Sequence, residues 1–484
     1  MATKHVHLIG VAGTGMGSLA GLLRQAGYRV TGSDTAFYPP MGERLGEWGV
    51  EVRQGYDAAH LEPRPDLVVV GNVCRRDNVE ARAAIDGGMA YVSMPGALEQ
   101  LFLTERPSFV IAGTHGKTTT TALVAALLRA EGRAPGYLIG GVPRDFPESF
   151  ALGAAGAPFV IEGDEYDSAF FEKQPKFFRY RPQCAVLTSI EHDHIDIYPD
   201  PEVYRRAFEG FVERIPESGL LVAYAGDPEV RRVVRKARCQ VRFYALWGED
   251  TGEVTPEWVA ALSEAESGAQ PFDLFFGGSA CGRARSPLSG AHNVRNALAA
   301  IALCAEGAQL SVTALMRRLA GFAGVKRRQE LLATARGVRV YDDFAHHPSA
   351  VRETLAGLRA RHPHGRLIAL FEPRSATASR KLHEAAYVEA FDAADLSLIA
   401  PVGRKEIPEA ERLDVAMVAE GIRARGRRAE APADHAALLA RALDEAREGD
   451  TLVVMSNGDF SGLLPRLIAS LALREPRPAQ ADAP

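Results

Sequence analysis

A short β run, Ser108–Ala112, passes straight into Gly113-Thr114-His115-Gly116-Lys117-Thr118-Thr119-Thr120, and a helical pattern follows over Thr120–Glu131. A strand, a Gly-Lys-Thr loop and a helix in immediate succession leave few folds open. The N–H groups of such a loop and of the helix N-terminus form an anion cradle, and open α/β sheets place it at the C-terminal end of a strand. Lys117 is placed to pair with β- and γ-phosphate oxygens, and Thr118 to hold Mg²⁺. The loop is not the full G-x-x-x-x-G-K-[ST] pattern, because Ile111 stands at the first glycine position. Gly-Lys-Thr alone would also suit an ordinary turn before a helix. The strand before it and the threonine run after it favour a nucleotide site.

Strand and helix patterns alternate on both sides of this loop, which predicts α/β architecture with parallel sheets. Residues 5–10, Tyr28–Ser33 and Leu67–Gly71 read as strands, with a helix from Ser18 to about Gln25, so residues 1–105 form a Rossmann-like first domain. Residues 106–322 form a P-loop ATPase-like central domain, with further strands at Phe159–Glu162 and Ala185–Ser189. Within it, residues 250–290 read as strands and loops on the domain surface. Residues 323–472 form a third α/β domain with strands at Val338–Tyr341, Arg366–Phe371, Leu396–Ile399 and Thr451–Ser456. Residues 473–484, rich in Pro, Ala and charge, read as a disordered tail.

Three further motifs stand where chemistry is expected. Glu162-Gly163-Asp164-Glu165-Tyr166-Asp167 packs four acids after a strand end. A charge run is usually a solvated loop, but this position favours Mg²⁺, which needs only one or two carboxylates beside phosphate and water. Glu191-His192-Asp193-His194-Ile195-Asp196 follows another strand. Its two His lack a third ligand cluster for zinc, and a role near a cation or reacting acyl group fits better. Gly290-Ala291-His292-Asn293-Val294-Arg295-Asn296 opens an Ala-rich helix. Its Asn side chains suit an adenine edge, or simply a helix cap. Near the N-terminus, Gly13-Thr14-Gly15-Met16 lies in a glycine-rich turn with Asp34 at about the spacing of a ribose-binding acid. Ser18 displaces the third glycine of G-x-G-x-x-G, so NAD is weakly supported while some diphosphate or nucleotide ligand is expected.

Charge and cysteine usage narrow the classes. A net charge of −5 with 24% charged residues argues against a broad nucleic-acid surface. Five scattered Cys form no CxxC pair and suggest neither disulfides nor zinc. There is no signal-peptide pattern and no run of about 18 apolar residues, so a cytoplasmic chain without a membrane partner is expected.

GTHGKTTT (113–120), EGDEYD (162–167), DHIDIY (193–198), GAHNVRNALAA (290–300), VKRRQE (325–330) and DDFAHHP (342–348) stand in the order seen in Mur ligases, and the chain resembles that family from Gly10 to about Leu463. The resemblance implies an ATP- and Mg²⁺-dependent amide ligase with small-molecule substrates, acting as a monomer or weak homo-oligomer. By position it implies ATP contacts from Gly113, Thr114, His115, Gly116, Lys117, Thr118, Thr119, Asn293, Asn296, Arg328 and Asp343. It gives catalytic roles to Lys117, Glu162 and His194, with Thr118, Glu162 and His194 near metal. Gly13, Thr14, Gly15, Met16, Asp34 and His115 would take a UDP-sugar. Some members carry a carbamylated Lys soon after this His. No Lys occurs between Pro201 and Ile215, so this chain resembles the branch without it.

The glycine-rich turn and the GTHGKTTT form are similar to members acting on UDP-N-acetylmuramate. Their acceptor is either L-alanine or the recycled tripeptide L-Ala-γ-D-Glu-meso-diaminopimelate. Tyr38-Pro39-Pro40-Met41, Glu165-Tyr166-Asp167, Phe371-Glu372-Pro373-Arg374-Ser375 and Met455-Ser456-Asn457-Gly458 resemble the tripeptide users. Alanine-adding members show DDYGHHP and PHRYTR; here Phe344 replaces Tyr and Ser375 replaces the first Arg. An Arg fork suits the α-carboxylate of free alanine, which in the tripeptide is already an amide. His346, Arg374, Ser375 and Arg380 are the acceptor candidates, with Lys381 beside them; a solvated helix face is the plainer explanation of such charges. The expected chemistry is attack of the lactyl carboxylate on the ATP γ-phosphate, then of the alanyl amine on the acyl phosphate, with a base or water path near His194 or His346. An oxidoreductase would leave the 113–120 loop unexplained, and a folylpolyglutamate synthetase would lack the first domain.

Overall fold

The computed structural model describes residues 4–38, 41–266, 268–404 and 406–473. Pro39, Pro40 and the expected tail from residue 474 onward lie outside the described residues; Leu473 itself closes the last helix, Leu463–Leu473.

Three sheets follow one another along the chain. The first has five parallel strands in the order Glu51–Gln54, Arg29–Asp34, His5–Ile9, Leu67–Val70, Tyr91–Ser93. Parallel strands are buried on both faces, which explains why Leu67–Val70 is wholly apolar. His7, in the first strand and fully buried, meets Thr31 Oγ1 at 2.7 Å through its ring. The first helix spans Thr14–Gln25 and so starts inside the glycine-rich stretch expected to be a turn. Those glycines serve packing: a Cβ at Gly17 would fall 2.2 Å from Met41 Sδ, and one at Gly21 2.1 Å from the Phe150 ring.

The central sheet has ten strands, ordered Ser279–Ser286, Gln270–Phe276, Trp258–Leu262, Gln240–Leu246, Leu220–Tyr224, Pro182–Leu187, Ser108–Ala112, Phe159–Gly163, Gly136–Leu138, Phe150–Ala151. The 250–290 stretch, expected on the surface, instead extends this sheet through an antiparallel meander. Its Trp258, Phe272 and Leu274 enter the core against the helix Ala291–Gly307, and Trp258 Nε1 donates to Glu306 at 2.7 Å. The alternation there was masked by intervening Gly, Ser and Glu. At the opposite edge Phe150 packs against the first domain's helix and Trp48, joining the two cores.

The third sheet runs Glu330–Ala335, Val338–Asp343, Thr451–Met455, Leu367–Phe371, Leu396–Ile399, Arg428–Glu430. All pairs but the first are parallel. The four expected strands are its interior; the two edges are short or half polar and carry little apolar signal.

Candidate active site

The strand Ser108–Ala112 ends at a loop whose backbone requires glycine. Gly113 has φ +126 and Gly116 φ +80, and a Cβ at Gly116 would sit 2.4 Å from Asn296 Oδ1. The helix then starts at Lys117, three residues before the expected Thr120. Lys117 folds back over the loop. Its ammonium donates to Gly113 O at 2.7 Å and to Glu165 Oε2 at 3.1 Å. Burial works against the charged amine, but Glu165, Asp164 and Glu162 outweigh it and raise the Lys117 pKa. Thr114 Oγ1 meets the Tyr204 hydroxyl at 2.9 Å, and His115 lies 3.3 Å from Glu191 through Nε2. Thr119 is buried along the same helix.

The acidic run divides its labour. Thr118 Oγ1 donates to Glu162 Oε2 at 2.9 Å, while Glu162 Oε1 accepts from Gly140 N. Burial, reinforced by Asp164, pushes the Glu162 carboxyl up. A buried carboxylate beside a hydroxyl is an oxygen-only donor pair of the kind Mg²⁺ takes. Glu165, which sequence reasoning gave no role, is the hub. It contacts Lys117, His194 Nε2 at 3.3 Å and the Tyr204 hydroxyl at 3.3 Å. Burial opposes its ionisation, yet Lys117 and His194 hold it down to about 2. His194 therefore engages Glu165 rather than Glu162. It stands at φ +51, its backbone N–H donating to Asp193, and Glu165 raises its pKa against the effect of burial.

The C-terminal domain supplies the other wall of a cavity of about 490 Å³. Asn293 and Asn296 line it, both nearly buried, with Asn296 Nδ2 3.3 Å from Asn293 Oδ1. Arg328 reaches across to Thr118 Oγ1 at 3.3 Å, and burial lowers its pKa. Arg328 and Arg327 both lie over the Phe344 ring, at 4.7 and 5.3 Å. Phe344 is thus a platform for two guanidiniums. Asp343 turns inward and accepts from Gln329 N, Ala345 N and Thr354 Oγ1, so it shapes the wall. Glu353 lies 3.5 Å from His292 and 3.6 Å from Arg295, on the helix that carries the two Asn. Thr377 Oγ1 donates to Asp193 at 2.6 Å and Ser349 Oγ to Glu191 at 2.6 Å. Neither contact left a sequence signal, since each joins residues more than 150 positions apart.

Gly13, Thr14 and Gly15 are exposed at the C-terminal end of the first sheet, with Met16 buried beneath. Asp34 Oδ2 accepts from Ala12 N at 2.9 Å and Oδ1 from Thr35 N at 2.7 Å, so Asp34 closes the turn. On the acceptor side the candidates separate. Ser375 Oγ accepts from Ala378 N at 3.0 Å and caps a turn. Arg380 pairs with Glu411 within its own domain. Arg374, half exposed, lies 3.2 Å from Asp459. His346 Nδ1 meets Phe344 O at 3.0 Å, and burial lowers its pKa.

Three family models tile the chain: Mur ligase family, catalytic domain, over residues 5–106; Mur ligase middle domain over 111–304; and Mur ligase, glutamate ligase domain, over 327–458. The chain belongs to the Mur ligase family. It is an ATP-dependent ligase that forms carbon–nitrogen bonds, built from the three Mur domains, and the oxidoreductase alternative falls away. The ligase is 38% identical to the UDP-N-acetylmuramate–L-alanyl-γ-D-glutamyl-meso-2,6-diaminoheptandioate ligase of Escherichia coli, over 96% of this chain and 98% of that one. It is 36% identical to the Haemophilus influenzae ligase of the same name, over 97% and 100%. A crystal structure of a murein peptide ligase from Psychrobacter arcticus superposes with TM-score 0.70 at 35% identity, covering 98% of this chain and 99% of that one. The UDP-N-acetylmuramate-alanine ligase of Thermotoga maritima, at 22% identity and TM-score 0.77 over 97% and 99%, shares the fold. Among the described residues, no helix is long and apolar enough to cross a membrane.

Proposed function

We propose that this ligase joins UDP-N-acetylmuramate to L-Ala-γ-D-Glu-meso-diaminopimelate in the cytoplasm, as a peptidoglycan-recycling step, acting as a monomer or weak homo-oligomer. Residues 1–105 take the UDP-sugar through Gly13–Met16, with Asp34 holding the turn. Residues 106–322 bind ATP, and residues 323–472 bring the acceptor.

The loop Gly113–Thr119 cradles the phosphates. Lys117, kept charged by Glu165, faces the γ-phosphate as the lactyl carboxylate attacks it, and the loop N–H groups stabilise the developing charge. Thr118 and Glu162 would hold Mg²⁺, which neutralises phosphate charge. Arg328 approaches from the other domain, and Asn293 and Asn296 line the adenine side. The acyl phosphate needs protection from water, which the closed central and C-terminal domains give. His194 lies close enough to Lys117 and Glu165 to orient the reacting groups; His346, kept neutral by burial, suits proton removal from the incoming amine.

What carries the acceptor assignment is Ser375. It caps a turn where alanine-adding relatives resemble one another in placing an Arg, leaving no guanidinium there for a free amino-acid carboxylate, while Arg374 stands at the exposed rim for a longer acceptor. Phosphate release from ATP with UDP-N-acetylmuramate and Mg²⁺ tests it, comparing L-alanine with the tripeptide. Turnover with the tripeptide alone is expected. Turnover with L-alanine alone would make this an alanine-adding enzyme.

A further inference from the structure

Where the central and C-terminal domains meet, three potential metal ligands converge. His115 comes from the phosphate loop, Glu191 from the segment after the strand Pro182–Leu187, and His347 from the N-terminal end of the helix Pro348–Arg361. One ligand atom from each lies within 4.8 Å of the others. His115 Nε2 and His347 Nδ1 stand 3.3 and 3.4 Å from the same oxygen, Glu191 Oε2. His115 makes a hydrogen bond with that oxygen, whereas His347 only approaches it at ion-pair distance. That side chain is only 7% exposed, and neither of its ring nitrogens has a hydrogen-bond partner. Buried polar atoms are nearly always paired, and leaving one unpaired costs about 1–3 kcal/mol. His383, ring to ring with His347 at 4.8 Å, also buries an unpartnered Nε2.

We propose that His115, Glu191 and His347 bind one zinc-class dication, with His383 or solvent as the fourth ligand, and that this ion clamps the C-terminal domain onto the phosphate loop. Two imidazoles and a carboxylate suit Zn²⁺ or Co²⁺; Mg²⁺ prefers oxygen ligands throughout. Tetrahedral bonds of about 2.0–2.1 Å place ligand atoms roughly 3.3–3.4 Å apart; the two separations from Glu191 Oε2 already meet this, leaving the His115–His347 separation, within 4.8 Å, to shorten. The partly exposed side chains of His115 and Glu191, at 26% and 38%, have room for that movement. The ligand set includes neither Thr118 nor Glu162, and His347 and His383 belong to the C-terminal domain, so occupancy would oppose opening of the cleft.

The test uses the full-length, chelator-treated protein without nucleotide. Calorimetric titration with ZnCl₂ is expected to show one equivalent bound in the presence of excess MgCl₂, weakened on the order of tenfold or more in His347→Ala. CoCl₂ should give the absorption of nitrogen and oxygen ligation, and small-angle scattering should show a smaller radius of gyration on zinc addition. Unaltered zinc affinity in His347→Ala, no stoichiometric uptake by the parent, a thiolate-to-cobalt band from the cysteines, or an unchanged radius of gyration would each overturn the proposal. If His347→Ala does not fold, Glu191→Gln provides the same comparison.

Discussion

Glu165 shows how much a single buried acid decides here. It is the common partner of Lys117 and His194, with the Tyr204 hydroxyl against the same carboxylate. Its carboxyl is held at about 2, against an ordinary 4.5. A depressed acid contributes stability that is present above its unfolded pKa and is lost as pH falls through its folded value. Glu165 should therefore contribute an acid-unfolding component between about pH 4.5 and about pH 2. His194 has the opposite sign: its raised pKa stabilises below the unfolded value near 6.5, and that contribution fades as pH rises through the folded one. Glu165→Gln keeps the shape but takes from buried Lys117 its nearest countercharge, leaving Asp164 and Glu162, and removes the carboxylate that His194 faces. The expected loss at neutral pH is about 3–5 kcal/mol in the central domain, with a flatter stability profile at acid pH. Thermal unfolding of both proteins from pH 3 to 8 checks this; equal Tm values throughout would remove Glu165 from the centre of the site.

Among elements, the hairpin strand Phe150–Ala151 is the joint between the first and second domains. Phe150 is 1% exposed, edge-on to Trp48 at 4.9 Å, and seated where Gly21 leaves room. Gly21→Ala would put a methyl 2.1 Å from the ring, and the ring is wedged, so helix and hairpin must separate. A loss of about 1–3 kcal/mol is expected. Gly46→Ala, also in a helix but with nothing within 4 Å, should be neutral or slightly stabilising. Differential scanning calorimetry of the two variants separates these outcomes, and a harmless Gly21→Ala would mean the joint lies elsewhere. The same residues show what the sequence could tell. Interior strands such as Leu396–Ile399 were legible to the residue, because burial on both faces leaves a nearly continuous apolar run, broken here only by Ser397. The start of the first helix was not, because Gly15 and Gly17 read as turn residues, although Gly17 is a contact residue whose Cβ would strike Met41. Glu162 and Lys117 were legible from local pattern. Glu165 was hidden in its charge run, and Thr377 could not be found because its partner Asp193 belongs to another domain.

For the whole molecule the question is what holds the C-terminal domain closed. Among the contacts that bridge the boundary, four involve side chains of the cleft: Arg328 to Thr118, Ser349 to Glu191, Glu353 to His292 and Arg295, and Thr377 to Asp193. The first should be weakened when Mg²⁺ claims the Thr118 hydroxyl, and the third rests on longer separations. Thr377 is different. It is 3% exposed, its bond to Asp193 is 2.6 Å, and Asp193 is held well below the usual carboxylate range: burial opposes ionisation, but His194 and Thr377 overcome it. A hydrogen bond to a buried charge contributes about 1.5–3 kcal/mol, and only the closed arrangement contains it. Thr377→Val keeps the volume and removes the donor, so the closed state should lose about tenfold or more in population. In scattering, the variant should have a larger radius of gyration than the parent. In turnover, kcat should fall, because acyl phosphate formed in a more open cleft meets water before amine, and phosphate release should exceed amide formation. Thr377→Ser restores the hydroxyl and should recover both measures. Should Thr377→Val keep the parent's scattering profile and a one-to-one ratio of phosphate to amide, closure would have to rest on the other contacts across the boundary, Arg328–Thr118 and Ser349–Glu191 first among them.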